Sequence, residues 1–430
     1  MINIDRFKNI DSENLAFFFF SASVICTVLG PAVHYSMWIL TLLTLVYSKV
    51  KNGNNFFPSV HCHSKKAFVL LMLFAFWASV PNFLTAESTY IWAHGLSCYA
   101  EFLLGIIFTM RVLNTEERLD SFIKWFVVIN SVFAVLYTLH ISSYFFGIPK
   151  SFNMPNGTMI NNNTSGTYAF MIMPFIVYYA FSKVKNHGIR LLMCAASLSV
   201  ILISTSSGTW LTSAIEALII LFFILKNKKA DIKTILVYVL IVISVLTLCD
   251  FATGKKASKM IVNELKNSKS LVVGTTNLND VTNERYDIWR ATIYMSKKHP
   301  IVGYGKKSYF DEFGKNMETF KEMFPEFRRR SITSHSHSMY LEILFAGGYP
   351  ALFFYCSGYL LLLAIALKST KNKNKTAAFL SVVTVTILAG NMIYGTNGDI
   401  YEGRRDIAVI FYTIMGIVMI LPTLHKRNGD

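Results

Sequence analysis

Residues 340–367 read YLEILFAGGYPALFFYCSGYLLLLAIAL, a predominantly apolar stretch with one charged side chain, Glu342. About 20 such residues in a helix cross the roughly 30 Å hydrocarbon core of a bilayer, so the stretch predicts a membrane-spanning helix. Eleven further apolar runs predict an all-α polytopic membrane protein of about twelve transmembrane helices. They are Leu15 to Leu29, Val33 to Tyr47, Ala67 to Leu84, Ile91 to Met110, Phe122 to Phe146, Thr164 to Phe181, Ile189 to Ile203, Trp210 to Leu225, Ile235 to Leu248, Ala377 to Ile393 and Ile407 to Leu421.

The composition of the chain agrees with a membrane protein. Of 430 residues, 53% are hydrophobic and 15% are charged, whereas a soluble protein carries roughly a quarter charged residues. The net charge of +16 is explained by basic connections between apolar runs, so no nucleic-acid partner is expected. The six cysteines form no CxxC pair, which argues against a disulfide framework. The first apolar run lacks a small-residue cleavage site and is expected to remain as a helix.

Basic residues in the short connections predict the orientation of the helices. They follow the second, sixth, eighth, tenth and last apolar runs, which places both termini in the cytoplasm. The chain then divides into helices one to nine (1–252), an outward loop domain (253–337) and helices ten to twelve (338–430). The residues that carry this pattern are Lys49, Lys51, Lys65, Lys66, Lys183, Lys185, Arg190, Lys226, Lys228, Lys229, Lys233, Lys368, Lys371, Lys373, Lys375, Lys426 and Arg427.

The long outward loop is itself rich in Lys and Arg, on the side where the topology rule disfavours them. Long loops translocate largely regardless of charge, so the orientation stands, and an anionic ligand is one explanation. A second outward basic point is Arg404 with Arg405, before the last helix. Within the loop, the stretch from Asn283 to Lys298 predicts a helix that Pro300 ends.

A histidine motif lies where the loop re-enters the membrane. It reads Ser334-His335-Ser336-His337-Ser338, followed by Glu342. A histidine with a pKa near 6.5 can accept a proton from a hydroxyl that attacks a lipid-linked donor. The alternatives are two interfacial histidines that cap a helix, or a metal pair in an extended segment.

A second motif, residues 284–290, reads ERYDIWR and precedes the sequence HPIVGYG at 299–305. The guanidinium fork of Arg matches phosphate oxygens, and Arg285 shares a helical face with Trp289. The alternative is an amphipathic surface helix whose buried stripe is Trp289 and Ile293.

Other polar features are less specific. The polar segment 154–164, MPNGTMINNNT, lines a cavity or forms an ordinary turn. Arg328-Arg329-Arg330 is a solvated charge run or contacts lipid headgroups. Glu101 and Glu216 lie inside apolar runs, where they are functional or packed in neutral form.

Several familiar motifs are missing from the sequence. It has no Walker motif, no HExxH and no Asp-x-Asp, which argues against an ATP-driven pump and a nucleotide-sugar transferase. The short cluster His61-Cys62-His63 is interpreted as incidental, and no metal site is expected.

Taken in order, three of these stretches resemble the O-antigen ligase and O-antigen polymerase superfamily over the whole chain. Gly157-Thr158 with Asn161-Asn162-Asn163 is similar to a segment ahead of the sixth helix. Residues 284–289 and 300–305 resemble its Arg, Trp and Pro-x-x-Gly-x-Gly stretch. Residues 336–342, with a glycine ten residues after Ser338, resemble its histidine motif.

The resemblance implies glycan transfer in the bacterial inner membrane from undecaprenyl pyrophosphate, at a periplasmic site, without cofactor, metal or ATP. It assigns catalysis to His337 and Arg285. Substrate contacts are then expected at His335, Ser338, Arg290, Arg404, Arg405, Asn161 and Asn162. Members commonly carry an arginine near the start of the eighth helix, but residues 204–210 read STSSGTW. Arg404 or Arg405 is expected to supply that charge.

Three functions remain open at this point. A ligase moves the glycan to lipid A-core, and the His-x-His-Ser motif with a single late loop favours it. A polymerase moves the glycan to a second lipid-linked repeat. A transporter or flippase would use Glu101, Glu216 and the basic loop for a charged substrate, although no inverted repeat of broken helices is visible.

Overall fold

A computed structural model shows that all regular secondary structure in the described residues is helical. The described residues are 11–53, 61–85, 89–146, 162–204, 206–252, 258–259, 262–263, 266, 278–282, 284–306, 308–329, 331–398 and 405–424. The helices are α1 (Ser12–Ile25), α2 (Pro31–Asn52), α3 (Cys62–Thr85), α4 (Thr89–Val112), α5 (Glu116–Phe146), α6 (Asn162–Lys183), α7 (His187–Ile203), α8 (Ser207–Lys226), α9 (Ile232–Ala252), α10 (Leu278–Val281), α11 (Arg285–Lys298), α12 (Tyr309–Lys315), α13 (Met317–Met323), α14 (Met339–Ser369), α15 (Lys375–Asn397) and α16 (Arg405–Ile420).

Local sequence explains where several helices begin and end. Asn186 accepts the N–H of Ile189 at 3.1 Å and caps α7, and Asn374 caps α15 in the same way. Pro31 occupies the first turn of α2, where its missing N–H costs nothing, and Gly53 ends that helix with a φ of 67°.

Six of the described helices contain spans that are long and apolar enough to cross a bilayer. Shorter apolar helices accompany them, and each of the twelve predicted apolar runs overlaps one of the α-helices; the first run, Leu15 to Leu29, also covers a short 3-10 helix, Thr27–Leu29. The six spans are Cys62–Leu84, Gly95–Val112, Glu116–Thr138, Ser207–Lys226, Met339–Ser369 and Lys375–Asn397.

The helices are arranged around α15, most of whose residues are buried. It packs against α8 and α14, while α14 packs against α3 and α16 packs against α4. The outer helices α2 and α9 instead expose large apolar side chains, among them Leu43, Val46, Leu236 and Leu240. Since helices satisfy their own backbone polar groups, such a bundle with an apolar outer surface suits a lipid surrounding.

Helix α14 is interrupted at Gly348, where φ is 70° and ψ is −172°. Two residues later Pro350 has no N–H, so the carbonyl of Ala346 loses its helical donor. The N–H of Tyr349 points away from the helix, which leaves the carbonyl of Phe345 without its helical donor as well. The interruption therefore presents two backbone acceptors to a neighbouring segment.

That neighbouring segment is residues 300–305, which follow α11. The carbonyl of Pro300 accepts the N–H of Tyr349 at 2.8 Å, and Tyr304 and Gly305 donate to the two freed carbonyls at 2.9 Å each. Gly303 also has a positive φ of 73°, and a Cβ there would lie 2.6 Å from a carbonyl oxygen of α14. Gly303 thus permits close backbone contact between the loop and α14, whereas a Cβ on Gly305 would lie 2.9 Å from the side chain of Asn82 on α3.

Helices α11, α12 and α13 form a small unit with its own apolar core. The core contains Ile288, Ala291, Met295, Tyr309, Phe313, Phe320 and, from α14, Phe345. The ring of Tyr304 stacks on Phe345 with 4.9 Å between centroids. The alternative interpretation, a buried stripe of Trp289 and Ile293, is wrong for Ile293, which is 40% exposed, while Trp289 is half-buried.

Candidate active site

A tight turn at Ser336–Ser338 positions His337 directly before α14. The N–H of Ser336 donates to the Oε2 atom of the buried Glu342 at 3.0 Å, and its hydroxyl donates to the carbonyl of Ser338 at 2.8 Å. The hydroxyl of Ser338 in turn donates to the carbonyl of Gly395 on α15 at 3.2 Å. His337 has a φ of 54°, a conformation that persists in a non-glycine residue only where its surroundings hold it.

Arg285, the first residue of α11, reaches the same end of α15. Its Nη1 atom donates to the carbonyl of Asn397 at 2.8 Å and also bonds to the Asn397 side-chain oxygen. The N–H of Met339, next to the histidine turn, donates to the carbonyl of Gly398 at 2.9 Å. Residues 395–398 therefore fix both predicted catalytic residues, which are distant in sequence.

Arg329, which belongs to the charge run Arg328-Arg329-Arg330, is a further arginine candidate for the site, because its charge acts on His337. Its backbone N–H donates to the carboxylate of the fully buried Asp287 at 3.3 Å, as does that of Arg328 at 2.8 Å. Its Nη1 atom lies 3.2 Å from an oxygen of Glu284, the residue before Arg285. Asp287 thus holds this part of the arginine run beside the start of α11.

The electrostatic environment of His337 is strongly positive. Burial, as the largest cause, and the nearby charges of His335, Arg285 and Arg329 together lower the pKa of His337 to about 3. At neutral pH the imidazole is therefore uncharged and offers a lone pair. A neutral base surrounded by cationic groups is suited to an anionic ligand.

His335 adjoins His337, with 4.0 Å between the ring centroids. Its Nδ1 atom lies 3.0 Å from the hydroxyl of Ser334. The hydroxyl of Ser338 is buried and bonded to α15. Direct contact of His335 and Ser338 with a substrate remains a prediction.

Arg290 is bound within the loop domain itself. It forms ion pairs with Asp287 at 2.7 Å and with Glu326. Its guanidinium lies 4.6 Å from the ring centroids of both Tyr286 and Phe324. These contacts give Arg290 a structural role, and its predicted contact with substrate is untested.

The remaining predicted residues are only partly visible. Asn161 and Arg404 lie outside the described residues, and Asn162 and Arg405 are described only as the first residues of α6 and α16. The segment that lacks the expected arginine does approach the site. A Cβ on Gly208, in the first turn of α8, would lie 3.5 Å from the side-chain nitrogen of Asn397.

The two acidic residues inside apolar runs have different surroundings. The hydroxyl of Tyr35 donates to the carboxylate of Glu101 at 3.4 Å. Glu216 is fully buried on α8, and its carboxylate faces Gly390 so closely that a Cβ there would lie 2.3 Å away. Both are packed against a neighbouring helix, and a role in transport is untested.

The fold and the site define a multi-pass membrane protein with a histidine in a cationic site at one end of its bundle. Residues 192–356 match the family profile described as O-antigen ligase. The chain therefore carries an O-antigen ligase family domain from α7 into α14, which includes Arg285, Arg329 and His337. The members of this family are membrane glycosyltransferases, either ligases or polymerases. No curated protein matches the chain.

Proposed function

We propose that this protein transfers an O-antigen glycan from undecaprenyl pyrophosphate to lipid A-core, as a lipopolysaccharide O-antigen ligase. The observation that carries the proposal is the convergence of Arg285 and the His337 turn on the end of α15, within the matched domain. The positive surroundings of His337 support a lipid-linked diphosphate as the donor.

In the proposed reaction, a sugar hydroxyl of the acceptor attacks the anomeric carbon of the donor with inversion. A new glycosidic bond forms, the bond from that carbon to the phosphate oxygen breaks, and His337 takes the hydroxyl proton. Negative charge develops on the departing diphosphate. Arg285 and Arg329 stabilise that charge, since a guanidinium presents paired donors to phosphate oxygens.

Donor binding also makes His337 a stronger base in this proposal. Without donor, burial and the surrounding positive charges keep its pKa at about 3. A bound diphosphate offsets the charges of Arg285 and Arg329, so the pKa of His337 rises, while burial, the largest cause, still holds it below its ordinary value. Donor binding therefore makes proton removal from the acceptor more favourable.

The site faces the periplasm in this proposal, and both termini are cytoplasmic. The support is the distribution of Lys and Arg among the short connections. Membrane lipids surround α2 and α9, whose outward residues are apolar. The same orientation places the undecaprenyl chain in the outer leaflet, beside the loop domain.

A polymerase that uses a second lipid-linked glycan as acceptor is the second candidate. The donor chemistry is the same, so Arg285, Arg329 and His337 keep their roles. The histidine motif at residues 335–338 and the single late loop favour the ligase. A third candidate belongs to a different functional class: a transporter or flippase that moves a charged substrate and performs no chemistry.

The decisive experiment uses purified protein, a lipid-linked donor and either lipid A-core or a second lipid-linked glycan. We expect transfer to lipid A-core without ATP or metal, and its loss in His337→Ala. Tyr349→Phe, on the exposed face of α14, is the matched control because the retained backbone N–H still binds Pro300. Full transfer by His337→Ala would exclude His337 as the general base. Transfer only to the second lipid-linked glycan, and not to lipid A-core, would establish a polymerase.

A further inference from the structure

A cluster of potential metal ligands lies at the first turn of α3. The Sγ atom of Cys62 is 3.7 Å from Nδ1 of His61 and 3.2 Å from Nδ1 of His63. One ligand atom from each of these residues lies within 4.8 Å of the others. In the part of the chain that the structure describes, no other group of three such side chains comes together.

This cluster is separate from the His337 site. Trp77, later in α3, donates to the carbonyl of Ile301 at 2.9 Å, which places the last turns of α3 beside the loop domain. The first turn of α3 lies instead beside Lys368 and Asn372, at the far end of α14. His61 and His337 are therefore at opposite ends of the bundle.

The two sulfur-to-nitrogen spacings fit a tetrahedral zinc site. Zinc binds imidazole nitrogen at about 2.0 Å and thiolate sulfur at about 2.3 Å, so the two ligands lie roughly 3.5 Å apart on a tetrahedron. The observed sulfur-to-nitrogen distances of 3.7 and 3.2 Å bracket this value. Two imidazoles with one thiolate also match the borderline-soft character of Zn²⁺.

Helix capping is the ordinary explanation for one of these residues. The N–H of His63 lies 3.4 Å from Nδ1 of His61, which is a long hydrogen bond at the start of the helix. The thiol of exposed Cys62 also lies within hydrogen-bond range of both Nδ1 atoms, but its single proton can be donated to only one of them. A metal at Nδ1 would replace one weak hydrogen bond with a coordinate bond.

We propose that His61, Cys62 and His63 bind one Zn²⁺ ion, with the fourth position open. His61 and His63 line a cavity of about 400 Å³ together with Lys368, Lys371 and Asn372. A water molecule or a small anion from this cavity fits the fourth position, because the two lysines favour negative charge there. Binding releases the thiol proton of Cys62 and holds the start of α3 in place.

The test uses the full chain, purified with its affinity tag removed and stripped of metal with a chelator. Zn²⁺ alone is titrated against a chromogenic chelator, and we expect one ion per chain. Cys62→Ser and His63→Ala should each weaken binding at least about tenfold, given that even outer-shell changes cost 10- to 100-fold. With Co²⁺, the wild type should show a thiolate charge-transfer band that Cys62→Ser lacks.

Two controls separate this site from other cysteines and histidines. Cys356→Ser, a half-buried cysteine of α14, should keep both zinc binding and the cobalt band. The double variant His335→Ala/His337→Ala should also keep them, which separates the result from glycan transfer. Substoichiometric binding by the wild type, or unchanged binding by Cys62→Ser, would overturn the proposal.

Discussion

Substituting alanine for Gly348 should detach the loop domain from α14. A Cβ at this position would lie 2.5 Å from the carbonyl oxygen of Pro300 and 2.6 Å from that of Ile301. Both atoms belong to the backbone, so no side-chain rotation relieves the contact. The chain must either lift residues 300–305 away from the helix or abandon the interruption.

The expected cost follows from what either movement breaks. Three backbone hydrogen bonds join the segment to α14, and each contributes about 1 kcal/mol. The conformation at φ 70° and ψ −172° costs a residue with a Cβ about 1–3 kcal/mol more. If residues 300–305 lift away while position 348 keeps its conformation, both costs apply and the sum is about 4–6 kcal/mol, a large part of the stability of a typical domain. If the interruption is abandoned instead, the lost hydrogen bonds alone cost about 3 kcal/mol.

Thermal unfolding and trypsin cleavage of the purified protein measure this effect. We expect Gly348→Ala to melt at a lower temperature and to be cleaved rapidly in the loop domain, with loss of glycan transfer. Gly53→Ala is the matched control, since Gly53 also has a positive φ, of 67°, but has nothing within 4 Å of its Cβ position. The reasoning would be refuted if trypsin cleaved Gly348→Ala at the wild-type rate, or if Gly53→Ala lowered the melting temperature and sped up cleavage as much as Gly348→Ala does.

Four further outcomes are expected. Arg285→Lys should lose most transfer activity and Arg285→Ala nearly all, with folding intact, because Lys lacks the paired donors of Arg. If Arg285→Ala bound and turned over the donor like the wild type, the contact of Arg285 with the diphosphate would be ruled out. Arg329→Ala should weaken donor binding about tenfold or more, as expected for a charged hydrogen bond, and an unchanged donor affinity would remove Arg329 from the site. The pKa of His337 is about 3 without donor, and bound donor raises it. Since kcat/KM for the donor reports the free enzyme and kcat reports the bound complex, kcat should begin to fall at a higher pH than kcat/KM as the solution is acidified. If both fell together near pH 6.5, this expectation would be contradicted. A cysteine at Lys269 should react with an impermeant thiol reagent in intact cells, whereas labelling only after membrane rupture would invert the proposed topology.

The helices could be predicted from the sequence because length and apolarity are local properties. The helix expected from Asn283 to Lys298 is observed as Arg285–Lys298, and it ends before Pro300 as expected. Its buried face could not be predicted. That face depends on Phe345, which α14 inserts into the loop domain from a distant part of the chain.

The sequence indicated which residues belong to the candidate site, but it did not indicate which other residues they contact. His337 and Arg285 stood out by their motifs, but the bond from Arg285 to Asn397 spans 112 positions. Arg290 carries the same kind of side chain as Arg285, yet Asp287 and Glu326 hold it in an internal contact. Only tertiary packing distinguishes an arginine that faces the site from one that binds its own domain.

The attachment of the loop domain to α14 has a consequence for protein engineering. Its hydrogen bonds at residues 300–305 join backbone atoms, and they require glycine and proline at a few positions rather than particular side chains. The rings of Tyr304 and Tyr309, which lie 4.9 and 4.8 Å from the ring of Phe345, are the side-chain part of this attachment, and the exposed loop surface elsewhere is free to change. A loop of different surface sequence should graft onto this bundle if Tyr304, Tyr309 and the glycines at 303 and 305 are kept in the loop and Phe345 and Gly348 are kept on α14.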